Sequence, residues 1–581
     1  MSSVRTRGAR LRTARLAALV GVALAIPACA GIPDSGVIHV GRAVPAPGGL
    51  GDIDVRVLPA AAQPGLAPSD VLHGFLRALV SSDGNYDIAR TYLSHHAAAT
   101  WRPAAGVTTY DDSSVQIADV GASASSRSLQ LKAPRLGEID ERGNFAPVGG
   151  TMRVTYGLTK QSGQWRIDRL SNGVLLSALD VQRAFRPAVV YYLNRTATTL
   201  VPEQVFLRPA PGVTTALVRA LVDGPGDWLA PSVRTGFPSG TVLLGNVPVD
   251  PTGVAEVNLS SSVRQATAAE LNALSAQLAW TLRQVSDVSA VRILVEGAPL
   301  AVPEQPINQP VNSWPAVNPA PAPPSPIAAY AHDGGWRVIG SSATLASAAG
   351  LSDLAISFDG TRIAALSDNG PSMSLLVGRR GQQLSTRVTA RSLATPTFDA
   401  TGTVFVVAQR SVGQAVVAVP TDGPVQRIGT SPELSTQPIQ RLALSHDGAR
   451  VAAVVGDNGR ARLLVGRVVV VRAGSQTRLR FEGFRDLLRG AADIRGLSWD
   501  GGDQILTTVA VATGGRELIA VDVDGYGTRT IPTTTIAGQP IDVAAATDRP
   551  ILVTAGGGVW RNDSSGAWTR LGNGDQPVYP G

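Results

Sequence analysis

Phe358-Asp-Gly-Thr-Arg-Ile-Ala-Ala-Leu366 is an Asp-Gly turn leading into a run of small and aliphatic residues, and it decides the fold because it recurs. The pattern returns as Phe398-Asp-Ala-Thr-Gly-Thr-Val-Phe-Val-Val407, His446-Asp-Gly-Ala-Arg-Val-Ala-Ala-Val454 and Trp499-Asp-Gly-Gly-Asp-Gln-Ile-Leu-Thr507. A fainter copy is Thr547-Asp-Arg-Pro-Ile-Leu-Val553. Each copy reads as a hairpin: an apolar strand, a turn, and a second strand rich in β-branched residues. The aspartates at 359, 399, 447, 500 and 548 are spaced by 40, 48, 53 and 48 residues, the period of a four-stranded propeller blade. One blade cannot bury both faces alone, so the repetition predicts a β-propeller over residues 327–581. Strands around Trp336 and Trp560 are placed to close the ring, which leaves about five to seven blades.

Upstream of the repeats, residues 305–326 carry eight prolines and read as a semi-rigid spacer. Before it, residues 189–304 alternate strand and helix signals. Val189–Leu193 is a strand, Thr214–Val222 a helix stopped by Asp223-Gly-Pro225, and Val254–Leu259 a strand. Thr267–Val285 follows as a helix with Leu271, Leu274, Leu278, Leu282 and Val285 on one stripe, and Val291–Gly297 closes the unit as a strand. The Leu-Val-Asp-Gly-Pro helix end, the Phe237-Pro-Ser-Gly240 turn, the Gln277-x-x-x-Thr281-Leu helix and the final strand together resemble the GerMN module, an α+β fold. Residues 69–188 begin with a helix, Ser69–Val80, for which Ser69 and Asp70 are capping candidates, and a second short helix over Tyr86–Leu93. They end in a hairpin of Met152–Leu158 and Gln164–Leu170. Helices followed by a curved sheet resemble the NTF2-like α+β fold. Residues 29–68 are rich in Pro and Gly and read as a tether.

The chain of 581 residues has a length prior of roughly three to five domains. With hydrophobic residues at 44% and charged residues at 16%, it is globular and loop-rich, and its reading is multi-domain and mainly β. The net charge of +7 invites a nucleic-acid partner, but its location argues otherwise. Arg5, Arg7, Arg10, Arg12 and Arg15 precede an uncharged run, Leu16–Ile26, and no acidic residue occurs before Asp34. That is a signal-peptide pattern over residues 1–28, too short in its apolar part to span a bilayer. Loss of those five arginines leaves about +2, and the nucleic-acid reading loses its support.

Cys29, the only cysteine, sits directly behind the apolar run in Ile26-Pro-Ala-Cys29, which resembles a bacterial lipobox, with Pro27 where a small or β-branched residue is usual. The alternative, a buried free thiol, fits this position poorly. The resemblance implies a mature chain starting at Cys29, carrying a diacylglycerol thioether and an N-acyl group. Two or three acyl chains then hold it to the extracytoplasmic face of the cell membrane.

The catalytic inventory is thin. No Gly-x-Ser-x-Gly elbow stands in a strand-turn-helix setting, and His39, His73, His95, His96, His332 and His446 have no zinc spacing. His446 occupies the place of Phe358, Phe398 and Trp499 in the repeat, so it reads as a blade residue, and the repeat aspartates read as turn stabilisers. Gly556-Gly-Gly558 lacks the Lys-Ser/Thr of a phosphate loop. The expectation is no enzyme, no cofactor and no metal.

The order of acylated cysteine, tether, NTF2-like region, GerMN-like module and WD40/TolB-like propeller resembles the LpqB family of actinobacterial lipoproteins. The stretch Cys29-Ala-Gly-Ile-Pro-Asp-Ser35 belongs to that likeness. The resemblance implies a partner of the MtrAB two-component system that engages the extracytoplasmic part of the sensor kinase MtrB and affects cell-wall homeostasis and division. The alternative is a cell-envelope glycan-binding protein or hydrolase working in the propeller channel. Convergent carboxylates and aromatics at the channel mouth would favour it, and a narrow, apolar plug would count against it.

Overall fold

The computed structural model describes residues 59–581 apart from 209–211, 342–343, 347–349, 410–412, 458, 474–475, 490, 492 and 513. Cys29, His39 and residues 1–28 lie outside the described residues. The repeats form a propeller of six sheets. In five of them the recurring turn joins the innermost strand to the second, as between Leu351–Ile356 and Arg362–Asp368, or Ile439–Leu444 and Arg450–Val455. The second strands are packed between neighbouring blades on both faces, so Arg450–Val455 is buried at every position. This is why they read as unbroken apolar runs and not as alternating ones.

The sixth sheet explains why six blades carry five motifs. Its inner strand is Asp575–Val578, which pairs antiparallel with Ala329–His332. These strands come from opposite ends of the propeller sequence, so no turn joins them and no motif is present. The expectation that strands around Trp336 and Trp560 close the ring is corrected here. Both tryptophans stand on the third strands of their blades, Gly335–Val338 and Gly558–Asn562.

The unit before the propeller has one strand more than the expected β-α-β-α-β order. Leu200–Leu207 pairs antiparallel with Arg186–Asn194. Pro202 masked it, because proline within an apolar run signals a break, and here it is tolerated at a sheet edge. The helix Ala268–Leu282 is capped by Thr267 and Glu270 in a reciprocal box and crosses over to place Ala290–Val295 parallel to Val254–Leu259. Residues 305–326 are not a spacer standing clear of the folded units. Asn308–Pro310 adds to Ala290–Val295 as an antiparallel strand, and Gln309 is buried.

The first unit has the expected helices-then-sheet order, with shifted boundaries. Its opening helix is Pro68–Ala78, with Pro68 in the first turn and Ala67 as the cap in place of Ser69 or Asp70. The second is Asp83–Arg90, and a third, His95–Thr100, is capped by Ser94, whose hydroxyl accepts from the Ala97 N–H. The end of the expected tether is bound to this unit: the Tyr92 hydroxyl donates to the Ala60 carbonyl and the Gly65 N–H to Gln164 Oε1.

Residues 41–581 form one compact unit, and the three modules meet at a single junction. Phe145, Phe206 and Tyr526, one from each, pack edge-on with ring centroids 4.6–6.3 Å apart. The long hairpin Arg462–Ala473 and Gln476–Asp486 acts as a bracket. Its Gly483 carbonyl accepts from the Trp228 indole N–H at 2.6 Å, and its Arg467 donates to the Trp228 carbonyl at 2.8 Å. Arg450, only 2% exposed, pairs with Asp447 at 3.3 Å and donates to the Pro202 carbonyl. Its counterpart in another repeat, Arg362, donates instead to Gly402 of the next blade. The same repeat position therefore serves blade-to-blade contact in one place and domain docking in another.

Candidate functional site

The propeller channel is the natural place to look, and its middle is crossed by a single cation. Arg441, from the inner strand Ile439–Leu444, lies 3.3 Å from Asp353 and 3.5 Å from Asp542 and also donates to Thr395. Four inner strands are thereby tied across the axis, and a fifth joins through Gln576, which accepts from the Asp353 N–H at 3.1 Å. Asp542, then Asp353, hold the guanidinium in its charged form against the cost of burial. Asp575 stands nearby, and burial followed by repulsion from Asp542 and Asp353 raises its carboxyl above the usual range.

Beyond this network the channel is closed at the turn end. The Phe358 and His446 rings touch across it at 4.2 Å, and the Trp499 indole N–H donates to the Ala443 carbonyl. Pro321 and Pro323 of the Pro-rich segment cover the opening, and Arg549 holds the Pro323 carbonyl at 3.1 Å. The segment lies so close to the turns that a Cβ on Gly360 would come within 2.5 Å of Ser325. The remaining space is about 190 Å³, below the roughly 300–1,000 Å³ of ordinary ligand sites. The arrangement has ion pairs and packing but no nucleophile beside a base.

His446 is a packing residue, and burial pushes its imidazole below its usual range. His95 and His96 are exposed on their helix, His73 bonds the Ser69 carbonyl, and His332 bonds the Asn573 carbonyl. Asp359, Asp399 and Asp447 accept turn N–H groups at 2.8–3.0 Å. Asp500 instead ends its strand opposite Gln504, and Asp548 adopts a left-handed backbone (φ 58°). Sequence reasoning missed the channel network, although a signal existed: Asp353, Arg441 and Asp542 each stand six residues before a repeat aspartate, in strands that should be apolar. Among the described residues no group of three or more His, Cys, Asp or Glu is disposed to hold a metal, and no helix is long and apolar enough to cross a membrane.

Residues 61–182 match the family described as "Lipoprotein LpqB, N-terminal domain", 189–301 "Sporulation and spore germination", and 332–580 "Lipoprotein LpqB beta-propeller domain". Lipoprotein LpqB of Thermobifida fusca is 30% identical over 98% of this chain and 99% of its own length. Lipoprotein LpqB of Streptomyces coelicolor is 28% identical over the whole of both chains. Among solved structures, TolB from Acinetobacter baumannii aligns with 54% of this chain and 86% of its own at 12% identity, with a TM-score of 0.35. With full-length likeness at this level and each module matched in order, the chain belongs to the LpqB lipoprotein family.

Proposed function

We propose that this protein is a lipid-anchored accessory of two-component signalling, held on the extracytoplasmic face of the cell membrane by acylated Cys29. It binds the extracytoplasmic domain of the sensor kinase MtrB and so modulates MtrAB output, affecting cell-wall homeostasis and cell division. The observation that carries this reading is a propeller whose channel is crossed by Arg441 and plugged by Phe358 and His446, with two further modules docked onto it. Such a molecule offers surfaces to a partner in preference to a cavity for chemistry, which favours a non-catalytic role. Confinement to a membrane raises the effective concentration of both partners, so modest affinity suffices. The plug and the small channel volume count against the glycan-binding or hydrolase alternative.

The test is direct binding of the purified protein to the kinase ectodomain, by pull-down and calorimetry. Saturable binding is expected, and absence of binding in both assays would sink the proposal. Cys29→Ala is expected to release the protein from the membrane fraction, and retention there would contradict the anchor.

A further inference from the structure

A cavity of about 480 Å³ opens where the three modules meet, and it shares no lining residue with the propeller channel. Asn144 comes from the first module, Glu203, Gln204 and Trp228 from the second, and Arg450 and Arg485 from the propeller. Its volume falls in the range of ordinary small-molecule sites. Three polar atoms on its wall, one from each module, are buried with no hydrogen-bond partner: Asn144 Oδ1, Gln204 Nε2 and Arg450 Nε. Buried polar atoms are nearly always paired, so three orphans facing one space need an explanation.

Their chemistry is complementary. Asn144 Nδ2 donates to the Asp140 carboxylate at 3.4 Å, which fixes the amide orientation and leaves its oxygen as an acceptor. Gln204 Nε2 and Arg450 Nε are donors. Glu203 adds a carboxylate, which accepts from the Gly226 N–H at 3.1 Å, and Arg485 adds a guanidinium stacked 4.6 Å from the Trp228 ring centroid. An ammonium group satisfies Asn144 Oδ1 and Glu203. A carboxylate satisfies Gln204 Nε2, Arg450 Nε and Arg485, and the indole offers an apolar wall.

We propose that the junction cavity binds a small zwitterion carrying the ammonium and carboxylate of a free amino acid. Because such a ligand touches all three modules, its binding stabilises their docked arrangement by mass action.

The test uses the full-length protein in detergent, titrated by calorimetry and thermal melting with glycine, D- and L-alanine, L-glutamate, L-lysine and L-tryptophan. At least one is expected to bind saturably and raise the melting temperature. Gln204→Glu, which repels the carboxylate, and Asn144→Leu, which removes the acceptor, are each expected to weaken binding about tenfold or more. Binding by none of the six, or binding unchanged in both variants, overturns the proposal. Should either variant fail to fold, crystals of the native protein soaked with the binding amino acid decide: the ligand in the cavity supports the site, solvent alone overturns it.

Discussion

Arg441 is the only cation bonded to Asp353 and Asp542 among the described residues, and it bridges the inner strands of blades that do not adjoin its own. Removing one partner of a partly buried ion network leaves like charges facing each other, at a cost of about 3 kcal/mol. Arg441→Leu is therefore expected to lose roughly that much stability in chemical denaturation. The triple change Arg441→Met, Asp353→Asn and Asp542→Asn should recover most of it, because no uncompensated charge remains. Glu203 gives the molecule a pH dependence. Burial, opposed by the Gly226 N–H and Arg450, pushes its carboxyl from 4.5 to about 7. Folded protein then holds a proton that the unfolded chain releases above pH 4.5. This contribution to stability is complete below pH 4.5, declines as pH rises, and is lost above about 7. Relative to wild type, Glu203→Gln is expected to flatten the stability profile across that window, by at most about 1.4 kcal/mol per pH unit. Parallel profiles from denaturation at pH 5, 6, 7 and 8 would contradict the assignment.

At the scale of an element, the helix Ala268–Leu282 does two jobs. One stripe, Leu274, Leu278 and Leu282, fills the core of its module. The other side behaves as a substitute strand: Gln277 Nε2 donates to the Tyr191 carbonyl at 2.8 Å, and the Tyr191 N–H donates to Thr281 Oγ1 at 3.2 Å. Gln284, just beyond the helix, accepts from the Val189 N–H and donates to its carbonyl. These groups sit on the edge of Arg186–Asn194 that no strand covers, so side chains one and two helical turns apart satisfy alternate backbone groups. Gln277 also accepts from the Gly236 N–H at 2.6 Å, where a Cβ would come within 2.3 Å of the Leu274 nitrogen. Gln277→Leu should cost about 2–3 kcal/mol by stranding two buried backbone groups, whereas Gln277→Glu, which keeps the acceptor, should cost less for Gly236 and more for Tyr191. Urea denaturation of both variants checks this. The Gln-x-x-x-Thr spacing was visible in the sequence as a resemblance, and its physical role emerged only with the edge strand in place.

At the scale of the whole molecule, ring closure rests on a short strand. Deleting residues 575–581 removes the inner strand of the first blade and exposes Tyr330, whose ring packs against Gly574. The expected result is a lower melting temperature and a broadened transition in calorimetry. An unchanged, cooperative transition would show that the ring holds without its clasp.

The five hairpin motifs, the helices of the middle module and the order of units are written in local periodicity, because each depends on residues a few positions apart. The leader and Cys29 are likewise matters of adjacent residues. Blade number, the clasp, the strand at Leu200–Leu207, the Pro-rich cover and the junction pair residues far apart in the chain, such as Arg450 with Pro202 or Trp228 with Gly483. No spacing rule reports such pairs. They exist because several weakly specified surfaces bury their polar and apolar groups against one another only once the chain has closed upon itself.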